Sequence, residues 1–111
     1  MIKVVALIKR KEGLTREEFL RYWQGEHPAV VRELPNVRHY TQSPAIEHRK
    51  QWAWDGVAQL WFDSVQDVSA AFRGAPADAM REHEEHFIGE MEWFLATETD
   101  VPLSRDAVSS S

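Results

Sequence analysis

Ile2-Lys3-Val4-Val5-Ala6-Leu7-Ile8 decides the fold. The run is rich in β-branched side chains and too short for a stable helix, so it reads as a strand. It is apolar on both sides: Val4, Ala6 and Ile8 alternate with Val5 and Leu7. A strand covered on one face and wet on the other would alternate apolar with polar residues. This one asks for cover on both faces.

Working outward, Lys11-Glu12-Gly13 ends the strand, and Thr15-Arg16-Glu17-Glu18 has the form of a capping box. Phe19, Tyr22 and Trp23 then recur at helical spacing. Proline disfavours helical geometry in the residue before it, so Trp23-Gln24-Gly25-Glu26-His27-Pro28 predicts a helix that breaks at His27. Pro28 suits the first turn of a second short helix carrying Val30, Val31 and Leu34. Val37 to about Ser43 reads as a second strand, and Val57-Ala58-Gln59-Leu60-Trp61-Phe62 as a third. Ser64 with Asp67 marks another helix start, interrupted at Gly74-Ala75-Pro76 and resumed to His86. Met91 to Thr97 reads as the fourth strand.

The order is βαββαβ, the split βαβ or ferredoxin-like arrangement of the α+β class. It is expected to form a four-stranded antiparallel sheet with helices on one face. The third strand sets Ala58, Leu60 and Phe62 opposite Val57, Gln59 and Trp61, and the fourth sets Trp93 and Leu95 opposite Phe94 and Ala96. One helical layer would leave a broad apolar sheet face bare, which normally marks an association surface. A homodimer with two sheets packed face to face is the economical expectation. The domain is expected over residues 1–98, with a flexible tail over 99–111 that is poor in apolar residues.

The chain has 111 residues, enough for one domain, and is 43% hydrophobic with five Trp, five Phe and two Tyr to fill a core. It has no cysteine, which removes disulfides, thiolate nucleophiles and Cys-based metal sites. The net charge is −5 and no basic cluster is long enough to track phosphates, the short Lys9-Arg10-Lys11 run included, so nucleic acid and anionic membrane are not expected partners. No apolar run approaches the roughly 20 residues that span a bilayer. Met1 leads straight into the first strand. A cytoplasmic protein is expected.

His27-Pro28-Ala29-Val30-Val31, Pro35-Asn36-Val37-Arg38-His39-Tyr40, Asp55-Gly56-Val57-Ala58-Gln59-Leu60-Trp61-Phe62, Phe87 and Thr97-Glu98 stand in an order and spacing that resemble the EthD family. The resemblance covers about residues 2–98. It implies a dimeric α+β barrel of two ferredoxin-like protomers, each with a pocket between sheet and helices. The family and its barrel relatives include a muconolactone methylisomerase, polyketide cyclases and cofactor-free monooxygenases. By resemblance, the His and Tyr of the isomerase's acid–base site fall on His27 and Tyr40. Many members carry an acidic residue near the position of His83.

Each candidate has a plainer role beside the functional one. His27 either caps a helix end or acts as a general base, since imidazole exchanges a proton near neutral pH. Tyr40 shares a strand face with Arg38 and Gln42, and either fills the core or donates to an oxyanion. Trp23, Trp54, Trp61, Phe72 and Phe87 are the candidate substrate-binding aromatics; tryptophans such as Trp23 and Trp61 are more often core than ligand platform, and in a small apolar pocket one ring can do both. Glu82-His83-Glu84-Glu85-His86 lacks the His-Glu-x-x-His pattern and reads as a charged, solvated helix end, so no metal is expected. His48, with Trp52 and Trp54, sits in a loop able to cap a pocket. No Gly-rich nucleotide fingerprint is present, and no cofactor is expected. Two function classes follow: a cofactor-free acid–base enzyme or monooxygenase on an apolar oxygenated molecule such as a polyketide, phenol or lactone, and a non-catalytic binder of such a molecule.

Overall fold

β1 (Ile2–Arg10) runs between β3 (Gly56–Phe62) and β4 (Ile88–Ala96), with β2 (His39–Pro44) on the far side of β3. The structure, a computed structural model, describes residues 1–104. All neighbouring strands are antiparallel, giving the order β2-β3-β1-β4. The helices are α1 (Arg16–Leu20), α2 (His27–Val31), α3 (Val65–Ala71) and α4 (Ala75–Glu84). This is the ferredoxin-like α+β fold that the element order predicts. Residues 97–104 carry no helix or strand, and the rest of the expected tail, 105–111, lies outside the described residues.

The capping box forms in full. Glu18 N donates to Thr15 Oγ1 at 3.1 Å, and Thr15 N donates to Glu18 Oε1 at 3.0 Å. Both bonds satisfy amide donors that a helix start otherwise leaves orphaned. The same logic starts α3, where Asp67 N donates to Ser64 Oγ at 3.1 Å.

The helix does not break at His27. A π turn over Arg21–Glu26 joins α1 to α2, and His27 itself is helical, with φ −61° and ψ −34°. A proline inside an α-helix removes a hydrogen bond and collides with the carbonyl four residues back. Here the wide turn before Pro28 absorbs that conflict, and the chain stays helical. His27 N–H bonds the Tyr22 carbonyl five residues back. One residue further on, the same ladder would need an N–H from position 28 to reach the Trp23 carbonyl. Pro28 has none, and Gln42 Nε2 on β2 donates to that carbonyl instead, at 2.7 Å.

The helices cover one sheet face. Val4, Leu60 and Phe62 pack beneath Val31, Leu34, Val68 and Met80, while Ala6, Ile8 and Ala58 pack beneath Phe19, Trp23 and Phe87. Among the described residues no element covers the other face, where Val5, Leu7, Val57 and Trp61 are half-buried and Phe94 is 52% exposed. The helices also stop short of β4. Its helix-side residues Met91, Trp93 and Leu95 remain 40%, 60% and 39% exposed. That shortfall opens the site described next.

Candidate active site

Between the sheet and the helices lies a mostly apolar cavity of about 490 Å³. Small-molecule sites run from about 300 to 1,000 Å³. Val4, Ala6 and Leu60 form its floor, and Trp93 and Leu95 of β4 stand at its open side. Its lining carries polar side-chain atoms from Trp23, His27, Tyr40 and Glu84, and also from Ser69, Arg73 and Arg81.

His27 is the one buried polar or charged residue among the described residues, at 4% exposure. Its Nδ1 lies 2.9 Å from Nδ1 of His83 on α4. One ring must donate and the other accept, so a bare nitrogen always faces a protonated one. Its Nε2 lies 3.6 Å from Glu84 Oε2. Phe87 packs edge-on against the His27 ring at 5.0 Å and fixes its plane. The nitrogen left for the cavity is therefore Nε2.

Tyr40 sits opposite Leu60 in the register of β2 and β3, which turns its ring to the helix side of the sheet. Gln42 Nε2 is 2.8 Å from its hydroxyl and 2.7 Å from the Trp23 carbonyl. A carbonyl can only accept, so it is the amide nitrogen that points this way, and its two protons serve the two oxygens. The Tyr40 oxygen thus accepts from Gln42 and keeps its own proton for another acceptor. Burial holds this phenol above its ordinary value of 10.0, and the Glu84 charge adds to that; hydrogen bonds from Gln42 and Trp23 act the other way. The phenol is a neutral donor at physiological pH.

Of the aromatics expected at the site, Trp23 and Phe72 line the cavity. The other three lie off its wall. Trp61 points to the opposite sheet face, against His39 at 4.8 Å, because its strand neighbours Leu60 and Phe62 take the helix side. Phe87 is fully buried behind His27 rather than beside the cavity. Trp54 stays in the connection before β3, half-buried. That connection closes nothing over His27. Ile46, His48 and Trp52 border a separate polar groove with Lys9, Lys11 and Arg16. The helix-end expectation for His83 also changes: it bonds His27, whereas His86 lies exposed and stacked on Tyr22 at 6.1 Å. His83, Glu84 and Gln42 were not among the expected site residues. Gln42 carried one usable signal, its shared strand face with Tyr40. Among the described residues no group of three or more His, Cys, Asp or Glu is placed to hold a metal ion.

Residues 11–90 match the EthD domain. The chain belongs to the EthD family. An EthD family protein from Bacillus halodurans has a similar structure, with TM-score 0.76 and 17% identity over 89% of this chain and 99% of that one. A dimeric ferredoxin-like protein of unknown function from Bacteroides fragilis superposes with TM-score 0.66 at 15% identity, over 86% of this chain and 93% of that one. A protein from Nitrosomonas europaea, provisionally assigned as an antibiotic biosynthesis monooxygenase, superposes with TM-score 0.62 at 14% identity, over 88% and 98%. No curated protein matches the sequence. Identities this low carry the fold and no more. Among the described residues of this EthD protein no helix is long and apolar enough to cross a membrane.

Proposed function

We propose that this EthD protein is a cofactor-independent acid–base enzyme acting on an apolar, oxygenated small molecule of the phenol, lactone or polyketide class. One observation carries the reading: a buried imidazole and a neutral phenol border the same apolar cavity. His27 Nε2 removes a proton next to a carbonyl or from a hydroxyl. Tyr40 donates to the oxyanion that forms. In a water-poor cavity such a hydrogen bond counts for more than in water. General acid–base help contributes about 10²–10⁴-fold, enough for isomerising, cyclising or decarboxylating a substrate that is already acidic. Deprotonating an electron-rich phenol at the same place would prepare it for direct reaction with oxygen.

The substrate enters past Trp93 and Leu95, where the helices leave β4 open. The bare apolar face of the sheet supports a two-fold homodimer, and the dimeric description of the Bacteroides fragilis protein is in keeping with it.

The test is a panel of phenols, anthrones and unsaturated lactones. Binding is followed by quenching of tryptophan fluorescence and turnover by absorbance. A compound that is converted should still bind His27→Gln, while its turnover falls by about 10²–10⁴-fold. Tyr40→Phe should cost about 10²–10³-fold. A compound that binds and is never converted, or is converted equally by His27→Gln, favours the non-catalytic binder.

A further inference from the structure

We propose that Glu26, His83 and His27 form a proton relay between solvent and the cavity, so that the buried imidazole exchanges its proton through His83. The inference rests on His27 being the acid–base group of the cavity. Four groups stand in a row. Glu26 Oε1 lies 3.6 Å from His83 Nε2, the two Nδ1 atoms are 2.9 Å apart, and His27 Nε2 lies 3.6 Å from Glu84 Oε2. Side-chain exposure falls along the row from 51% at Glu26 through 18% at His83 to 5% at His27. The outer contacts are longer than hydrogen bonds, so the short central link is the one that fixes proton positions. Solvent reaches both members of the Glu26–His83 end.

Proton counting gives the row its properties. Two fully protonated rings would face N–H against N–H at the central contact, which 2.9 Å forbids. The pair therefore holds two ring protons when neutral or three when charged, never four. In one neutral arrangement His27 donates from Nδ1 and presents a bare Nε2 to the cavity, while His83 turns Nε2–H toward Glu26. That is the arrangement of a ready base. When a substrate proton arrives at Nε2, its bonding pair stays on the substrate. The His27 Nδ1 proton moves to His83 Nδ1, and the His83 Nε2 proton leaves toward Glu26 and water. Each ring loses one proton for the one it gains, so neither ends charged. The reverse order reprotonates the substrate. Other titratable groups face the pair as well: Tyr22 from the π turn lies edge-on to His83 at 6.3 Å, His86 from α4 lies 5.7 Å from it, and Tyr40 from β2 feels the Glu84 charge. None of these is placed to complete the row.

The experiment uses the full chain with ¹⁵N-labelled histidine and no ligand, so it is independent of any turnover assay. The spectra should show coupling between the two Nδ1 atoms. Exchange of the His27 ring proton with water should slow by an order of magnitude or more in His83→Gln, which keeps a bonding partner for His27 but cannot pass a proton on. Glu26→Gln should slow it less. No coupling in the unaltered protein, or equal exchange in folded His83→Gln, would overturn the relay. Loss of turnover in His27→Gln alongside any of these would leave the acid–base reading standing without it.

Discussion

Replacing Gly56 with alanine adds one methyl group, and the structure gives that methyl nowhere to go. Its Cβ would stand 2.5 Å from Cη2 and 2.6 Å from Cζ3 of Trp23, and 3.1 Å from the Ser43 carbonyl oxygen. Carbon atoms rest at about 3.5–4.0 Å, so the two ring contacts overlap by about 1 Å. The obstacle is a rigid indole at 1% exposure, wedged against Phe19 at 5.4 Å, with its own carbonyl held by Gln42. Overpacking a core costs about 1–3 kcal/mol, and a ring that cannot swing aside puts this case near 3 kcal/mol. For a domain of this size that lowers Tm by about 12 °C, at about 4 °C per kcal/mol. Urea and thermal unfolding followed by circular dichroism, at one protein concentration so that the proposed association is held constant, measure it. Trp23→Phe removes the outer ring atoms and makes room. Combining it with Gly56→Ala should therefore cost about 1–3 kcal/mol less than the two single changes added together. A Gly56→Ala protein within about 0.5 kcal/mol of the original, the range of ordinary surface changes, would refute the packing argument. Strict additivity in the double variant would refute Trp23 as the obstacle.

Three further outcomes follow from single contacts. Gln42→Leu leaves the Trp23 carbonyl without its donor and should cost about 1–3 kcal/mol, so an unchanged urea midpoint would count against that bond. The Tyr40 phenol is held above its unfolded value of 10.0, so the neutral form stabilises the fold; that contribution is complete below about pH 10 and lost as pH rises through the folded value. Tyr40→Phe should flatten this alkaline fall in stability, and an identical slope in both proteins would remove burial of the phenol as its cause. Phe94→Glu places a charge on the bare sheet face beside Val5 and should yield a monomer by light scattering; an undiminished dimer mass would move the association surface elsewhere.

The fold was legible because its signals are local. Short β-branched strand runs, the Thr15–Glu18 box and the Ser64 cap each depend on residues a few positions apart, and each formed as the sequence implies. Alternation along β3 separates Leu60 from Trp61, but both sets are apolar, so it does not tell which of them meets the helices, and Trp61, expected at the site, lies on the other face. The site was less legible, because its decisive contacts are long-range. His27 and His83 are 56 residues apart, and nothing in either neighbourhood announces the other. A helix end rich in Glu and His looks solvated whether or not one of its rings turns inward. The open side of the cavity depends on how far the helices reach across β4, a matter of three-dimensional length that patterning along one element does not record.

The misread helix break ties these levels together. The bias of a residue before proline against helical geometry is a local clash with the proline ring, and His27 takes helical angles in spite of it; what the π turn relieves is the other conflict, the ladder bond that proline cannot make. The turn moves the unmet acceptor to the Trp23 carbonyl, where only a donor from another element can reach it. Gln42 does so from β2, and with its second proton it fixes which way the Tyr40 hydroxyl donates. The backbone defect that keeps His27 inside a continuous helix thus also orients the phenol across the cavity from a different strand. Pro28→Ala would give residue 28 an N–H that meets the Trp23 carbonyl along the same ladder and releases Gln42. If the coupling is real, that variant should gain helical stability while the Tyr40 hydroxyl loses its fixed orientation. Unaltered hydrogen exchange at that hydroxyl would show that the proline and the phenol are independent after all.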